Sequence, residues 1–145
     1  MKSSEELSRL FRERGLKVTP QRQRIFGVLC DNESHPTAEA VHAEVAREMP
    51  TVSLRTVYRT LTELAAMGEL GKLDLGGGST RFDPSLEPHH HLVCESCGSV
   101  ADLHADFTEV SVPAEEAEGF RTTRTEIVFH GVCEPCTGAA ATSQR

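Results

Sequence analysis

Four cysteines in two close pairs constrain this chain more than any other feature. Cys94 and Cys97 form one CxxC pair, and Cys133 and Cys136 form a second. Two CxxC turns together supply the four soft ligands of a tetrahedral zinc site. The N-terminus has no apolar stretch typical of a signal peptide, so we expect zinc in place of disulfides. The alternative, two redox dithiols, lacks the βαβ context of a thioredoxin-type motif.

Charge is distributed unevenly along the chain. Its 145 residues carry a net charge of −7, with 11 Lys and Arg against 10 Asp and Glu in residues 1–72, and 4 against 12 in residues 73–145. Basic charge at one end of an acidic chain allows a polyanion to bind there. No apolar run approaches the roughly 20 residues of a membrane span, so we expect a cytoplasmic protein that makes no membrane contact.

Capping signals predict four helices, which begin after Ser3, Thr19, Thr37 and Ser53. The fourth helix carries an apolar stripe at helical spacing, formed by Leu54, Val57, Leu61 and Leu64. A hairpin with a glycine turn at 76–78 follows it, and this order fits a winged helix-turn-helix. We therefore predict an α+β chain. It has a winged-helix DNA-binding domain over 1–83, a hinge over 84–88, and a small α/β dimerisation domain with a four-cysteine zinc site over 89–145.

The second half of the chain has weaker local signals. Short strands over 91–93 and 99–103 flank the first CxxC pair, and a polar helix interrupted by Pro113 is predicted over 107–118. Residues 122–132, rich in Thr, Val, Ile and Phe, predict a strand, and 137–145 a frayed tail. Two residues receive a purely structural interpretation: Cys30 as a buried apolar residue and His42 as a helix residue without nearby partners.

The helix after Ser53 leaves Arg55, Thr56, Tyr58, Arg59 and Thr60 outside its apolar stripe. Arginine bonds guanine edges or phosphates, threonine contacts the thymine methyl group, and tyrosine bonds phosphate. An ordinary solvated helix face explains the same residues equally well. The hairpin predicted behind the helix favours the DNA-binding interpretation, because a wing accompanies the recognition helix in this motif.

A histidine run forms a second candidate metal site. Alternate residues of an extended segment face the same way, so His89 and His91 point together and His90 points away. His35, Asp83, Asp102 and His104 lie elsewhere in the chain as further donors. Imidazole nitrogen with carboxylate oxygen suits divalent iron, manganese or zinc. Spacing alone leaves open whether the run is a metal site or a polar linker.

Four segments, taken together, resemble the ferric uptake regulator (Fur) family of bacterial metal-responsive repressors. They are Thr19-Pro20-Gln21-Arg22, residues 53–61, His89 to Gly98, and Gly131 to Cys136. The resemblance covers roughly residues 5–137 and is greatest to the peroxide-sensing PerR branch. It implies a homodimer that binds a palindromic double-stranded DNA operator, and it adds Arg22 to the expected DNA contacts.

The resemblance also implies a regulatory Fe²⁺ or Mn²⁺ site beside the structural Zn²⁺ site. The matching ligands are His35, Asp83, His89, His91 and Asp102. Iron-sensing relatives usually carry glutamate where Asp83 and Asp102 fall. In the family, peroxide oxidises a histidine ligand of the Fe²⁺ form, and the matching residues are His35 and His89.

The sequence departs from the family pattern at two positions. Pro88 stands where many iron sensors have a histidine, so their additional metal site is expected to be missing. Pro113 interrupts the helix expected within 105–119.

Three competing hypotheses stay open. The first is a sensor of iron, zinc, nickel or manganese supply without peroxide chemistry. The others are an enzyme, either a dithiol oxidoreductase or a metal hydrolase, and a zinc-stabilised protein-interaction module. We expect a repressor and no enzymatic activity.

Overall fold

The computed structural model describes residues 1–76 and 78–142, and the chain divides into two compact units, Met1–Leu86 and Glu87–Arg145. The predicted hinge over 84–88 concerns movement between domains and stays a prediction, as do the predicted domain bounds. No helix in the described part of the chain combines the length and the apolar character that crossing a membrane requires.

The first unit contains four helices and a hairpin. The helices are α1 (Ser4–Glu13), α2 (Pro20–Leu29), α3 (Ala38–Ala46) and α4 (Leu54–Ala66), and β1 (Gly71–Leu73) pairs antiparallel with β2 (Arg81–Asp83). All four predicted N-caps are confirmed, since each accepts a hydrogen bond from the backbone N–H three residues on. Satisfying these otherwise unbonded N–H groups fixes where each helix begins.

Apolar side chains from all four helices form the core of this unit. Phe11 packs edge-on against Phe26, with ring centroids 4.8 Å apart. Leu61 and Leu64 are fully buried, as the predicted stripe requires, but Leu54 is 37% exposed. Leu54 is the first residue of α4, and helical side chains tilt toward the N-terminus. Its side chain therefore extends past the end of the packed face.

The turn between α3 and α4 is tied to α3 by a histidine. His42 Nε2 donates to the Val52 carbonyl oxygen at 3.0 Å. The expectation that His42 lacks nearby partners is therefore wrong, because the turn before α4 folds back over its side chain. This bond helps fix the angle at which α4 leaves the turn.

The second unit is built on a three-stranded sheet. Its central strand β3 (His90–Cys94) pairs antiparallel with β4 (Val100–Leu103) and parallel with β5 (Val128–Gly131). Two helices accompany the sheet, α5 (Ala114–Ala117) and α6 (Glu134–Thr142). The strands predicted around the first CxxC pair are confirmed within a residue.

Other predictions for this half are wrong in extent. The polar helix expected over 107–118 is reduced to α5, which begins just after Pro113, because proline is tolerated only at a helix start. The strand expected over 122–132 shortens to β5, which is limited by the length of its pairing with β3. The predicted frayed tail is helical through Thr142 in α6, and residues 143–145 lie outside the described residues.

Cys30 is also less buried than expected. It is half-buried, and its Sγ donates to the Lys2 carbonyl oxygen at 3.4 Å. It follows the last residue of α2, where the core ends, so its side chain reaches the surface beside the N-terminal segment.

The contrast between Leu61 and Leu54 on α4 generates a stability prediction. Leu61→Ala should lower the free energy of unfolding by about 2–5 kcal/mol, because it leaves a cavity in a closed core. Leu54→Ala should change it by no more than about 0.5 kcal/mol, as surface substitutions typically do. Denaturant unfolding followed by helical circular dichroism measures both, and equal losses would contradict the burial pattern.

Candidate metal centres and nucleic-acid interface

The two CxxC pairs converge into one cluster in the second unit. The four Sγ atoms of Cys94, Cys97, Cys133 and Cys136 all lie within 4.8 Å of one another, and those of Cys97 and Cys133 are 3.7 Å apart. Tetrahedral zinc with Zn–S bonds of about 2.3 Å separates its sulfur atoms by about 3.8 Å. The arrangement therefore fits a structural zinc ion.

Strand pairing brings the two pairs together. Cys94 is the last residue of β3 and lies opposite Gly131 of β5, while Glu95 N donates to the Gly131 carbonyl oxygen at 2.8 Å. The chain then turns back through Gly98, whose φ of 73° is left-handed and whose N–H donates to the Cys94 carbonyl oxygen. The parallel register of β3 and β5 thus sets the distance between the CxxC turns.

Backbone N–H groups prepare the cluster for a metal. The N–H groups of Cys133 and Cys97 donate to Cys94 Sγ at 3.3 Å and 3.5 Å. These bonds, that of Cys133 first, lower the pKa of Cys94 to about 6. The Ser99 hydroxyl lowers the pKa of Cys97. Because zinc binds thiolate and not thiol, groups that favour the thiolate favour metal binding at neutral pH.

The first unit carries one half of the predicted histidine–aspartate set. His35 Nε2 lies 3.8 Å from Asp83 Oδ1, and both side chains are buried. The loop that holds His35 is tied to β2, because Phe82 N donates to the Pro36 carbonyl oxygen and Arg81 Nη1 to the His35 carbonyl oxygen. His35 has a φ of 50°, a conformation uncommon for a residue with a side chain and often found at functional sites.

The second unit carries the other half. His89 Nε2 and His91 Nε2 lie 3.2 Å and 3.9 Å from the same atom, Asp102 Oδ1. The antiparallel register of β3 and β4 places His91 directly opposite Asp102. As predicted, His90 faces the other way, where its Nδ1 accepts from Ile127 N and its ring packs on Phe107. The exposed His104 lies at the margin, 3.9 Å from Asp102 Oδ2.

The outer nitrogens of these two histidines have oxygen partners. His89 Nδ1 donates to the Glu87 carbonyl oxygen at 2.7 Å, and His91 Nδ1 lies 3.2 Å from Glu126 Oε1. Metal-binding histidines use their second nitrogen in this way, which fixes the ring and directs the first nitrogen to the ion. Nitrogen and carboxylate donors of this kind fit Fe²⁺, Mn²⁺ or Zn²⁺.

Glu126 is a residue that sequence reasoning missed. It lies just before β5, and its proximity to His91 follows from the pairing of His91 with Val128. The side chain of Glu126 also receives Arg124 Nη2 at 3.1 Å. The usable signal in the sequence is an acidic residue within the strand predicted over 122–132, but the sequence does not give the pairing partner of that strand.

The outer face of α4 presents polar side chains. Arg55, Tyr58 and Arg59 are exposed, while Thr56 is half-buried and bonded to Ser53 Oγ at 2.9 Å. Thr60, expected on the same face, is fully buried, because its hydroxyl donates back to the Thr56 carbonyl oxygen at 2.8 Å. The Tyr58 hydroxyl donates to Glu39 Oε1 at 2.9 Å. The backbone N–H of Glu39, and then the Tyr58 hydroxyl, lower the pKa of the Glu39 carboxyl. Four of the five predicted DNA contacts therefore lie on one helix.

Arg22, the fifth, is placed differently. It is 9% exposed, its Nη1 donates to the Lys17 carbonyl oxygen at 2.8 Å, and its Nη2 meets Glu63 Oε2 at 2.6 Å. Its guanidinium also lies 5.1 Å from the centroid of the Phe11 ring. These contacts hold the side chain inside the unit, and the DNA contact predicted for Arg22 stays a prediction.

Comparisons with known proteins identify the family to which this chain is similar. The model of the "Ferric uptake regulator family" matches residues 13–136. The "Peroxide-responsive repressor PerR" of Staphylococcus epidermidis is 34% identical over 133 residues, which are 91% of this chain and 89% of the relative.

Two solved structures add to this. The ferric uptake regulator of Helicobacter pylori, described as having "three functional metal binding sites", aligns with a TM-score of 0.75 at 22% identity, over 94% of this chain and 97% of the other. At that identity the likeness shows the fold alone. PerR from Streptococcus pyogenes, described in terms of "peroxide sensing and gene regulation", aligns with a TM-score of 0.54 at 28% identity, over 94% of each chain.

The cysteine cluster generates a metal-content prediction. Cys97→Ser should lose the bound zinc and unfold at a lower temperature, because the second unit depends on a complete ligand set. Cys30→Ser is the matched control and should keep zinc and stability, since Cys30 lies in the first unit. Metal analysis and native mass spectrometry measure both variants. Full zinc content in Cys97→Ser would show that the four sulfurs do not act together.

Proposed function

This chain belongs to the ferric uptake regulator family, and we propose that within it the chain is a peroxide-responsive repressor. Members of the family are metal-responsive, DNA-binding, dimeric repressors and not enzymes. The peroxide proposal is supported by one observation above all: both carboxylate donors of the histidine–aspartate set, Asp83 and Asp102, are aspartates, as the peroxide-sensing branch requires. We further propose that the repressor is cytoplasmic and that its operator is a palindrome, which matches the two-fold axis of a dimer.

Two metals have separate tasks in this proposal. Zinc on Cys94, Cys97, Cys133 and Cys136 stabilises the second unit. Fe²⁺ or Mn²⁺ draws His35 and Asp83 from the first unit and the remaining ligands, His89, His91 and Asp102, from the second. An ion with ligands in both units favours the DNA-binding arrangement only if it binds that arrangement more tightly than others.

Peroxide acts, in this proposal, on the protein's own ligands. Bound Fe²⁺ supplies one-electron chemistry toward peroxide, whereas Mn²⁺ binds similar donors and does not readily supply it. One oxygen atom of the peroxide is added to the imidazole of His35 or His89, and the other leaves as water. The oxidised ring donates poorly to a metal. The regulatory set would then lack one of its five donors, and the repressor would release DNA.

The main alternative within the family is a sensor of metal supply. Such a sensor would bind DNA in the same way but would not release it in response to peroxide. Replacing Asp83 and Asp102 together by glutamate tests the distinction, because the resemblance assigns glutamate to iron sensors at these positions. In our proposal the double variant still binds DNA with metal and loses its response to peroxide.

The exposed face of α4 generates a prediction about DNA binding. Arg59→Ala should weaken operator binding by about 1–3 kcal/mol and relax specificity at one base pair, whereas loss of a phosphate contact weakens all sequences alike. Tyr58→Phe should also weaken binding, with metal content and dimerisation unchanged. Arg47→Ala, which removes an equally exposed charge just after α3, is the control. Binding isotherms on the selected operator and on unrelated DNA measure each variant, and wild-type affinity in both α4 variants would rule out this face.

The metal-dependence of oxidation generates a second prediction. After brief exposure to peroxide, the Fe²⁺ protein should carry one added oxygen on His35 or His89, retain zinc and release DNA. The Mn²⁺ protein should stay unmodified and bound. Peptide mass mapping together with zinc analysis measures these outcomes. Zinc release before any histidine oxidation would instead indicate a cysteine switch.

A further inference from the structure

A carboxylate on the inner side of α4 joins two arginines. Glu63 Oε1 accepts from Arg59 Nε at 3.0 Å, and Glu63 Oε2 accepts from Arg22 Nη2 at 2.6 Å. The Glu63 side chain is 19% exposed, while that of Arg59 is 71% exposed. One end of this chain of contacts therefore lies inside the first unit and the other end on its surface.

The inner end is held from several sides. Arg22 donates to the Lys17 carbonyl oxygen and lies over the Phe11 ring, in addition to its pair with Glu63. A planar guanidinium with fixed hydrogen bonds and a ring against its face has little freedom to turn. Glu63 is consequently anchored by the body of the unit, beyond what α4 alone supplies.

The outer end leaves a specific edge of Arg59 available. The contact with Glu63 uses Nε, so the two Nη groups form the edge that points away from the carboxylate. Two parallel N–H donors at that edge match the O6 and N7 acceptors of guanine. An unanchored surface arginine has to lose its rotamer freedom when it binds, whereas an anchored one is already oriented.

We propose that Glu63 is a positioning residue for DNA readout, which holds Arg59 so that its Nη edge faces a base, and that Arg22 supports Glu63. This inference rests on the proposed function, in which α4 contacts DNA. It gives Glu63 two opposed effects. Its negative charge disfavours a polyanion, and its orientation of Arg59 favours the correct sequence.

The two effects separate in a binding experiment with the full-length, Mn²⁺-loaded dimer. Selection from randomised duplex DNA with the wild-type protein supplies the operator. Glu63→Gln should lower the ratio of operator to random-duplex affinity by about 5- to 50-fold, within the range of a base contact. Its affinity for random duplex should stay the same or rise, because a carboxylate has been removed.

Two comparisons decide whether Glu63 acts through Arg59. In an Arg59→Ala background, Glu63→Gln should change the specificity ratio by less than about twofold, since residues that act together are not additive. Glu44→Gln is the matched control, because Glu44 pairs with exposed Arg47 at 3.0 Å on α3 and should leave the ratio unchanged. Arg22→Lys should cause a smaller loss of specificity than Glu63→Gln does, because lysine keeps the positive charge but lacks the several fixed N–H donors of the guanidinium.

The proposal is overturned if Glu63→Gln keeps the wild-type ratio, or if it loses the same factor with and without Arg59. It is also overturned if operator and random-duplex affinities fall together with the melting temperature, which a merely structural role produces. If Arg59→Ala itself leaves the ratio unchanged, the DNA-binding face in the proposed function fails as well. That result is distinct from a failure confined to Glu63.

Discussion

The convergence of four cysteine sulfur atoms is the feature on which the second unit depends. Among its described apolar residues, Cys94 and Val100 are the buried ones, while Phe120 is 72% exposed and Leu92 and Phe129 are each 43% exposed. A unit this small, with so little buried apolar surface, needs a metal or a partner chain to stay folded. Zinc on the cysteine cluster meets part of that need, and the dimeric state of the family accounts for apolar surface left on a single chain.

The first unit is stabilised in a different way. Its helices begin at side-chain caps, and its apolar residues close a core without a metal ion. This difference suits the division of tasks in the proposed function. In the proposed function, a unit with its own closed core presents α4 in one form, and changes in metal binding leave its internal packing intact.

The sequence predicts the first unit well because its determinants are local. Caps such as Thr19 and Ser53 act on the residues three positions on, and the stripe through Leu61 needs only helical spacing. In the second unit, β5 depends on pairing with the distant strand β3 and is shorter than the strand predicted over 122–132, and α6 stands where a frayed tail is predicted over 137–145. The contacts of Arg22 are a second case in which residues distant in sequence decide the structure. Its contacts with Glu63 and Phe11 hold its side chain inside the unit, and the sequence does not predict them because neither residue is a neighbour of Arg22 along the chain.

In the proposed function, oxidation of a single ring would be enough to release the repressor, because every imidazole of the regulatory set is a donor. His35 belongs to the first unit and His89 to the second, and loss of either would remove one of the five proposed donors. Moving an equilibrium from almost entirely one state to almost entirely the other takes a difference in affinity of about 10⁴-fold. A ligand set with only two donors from one unit is sensitive to the loss of either, because without His35 only Asp83 remains as a donor from the first unit.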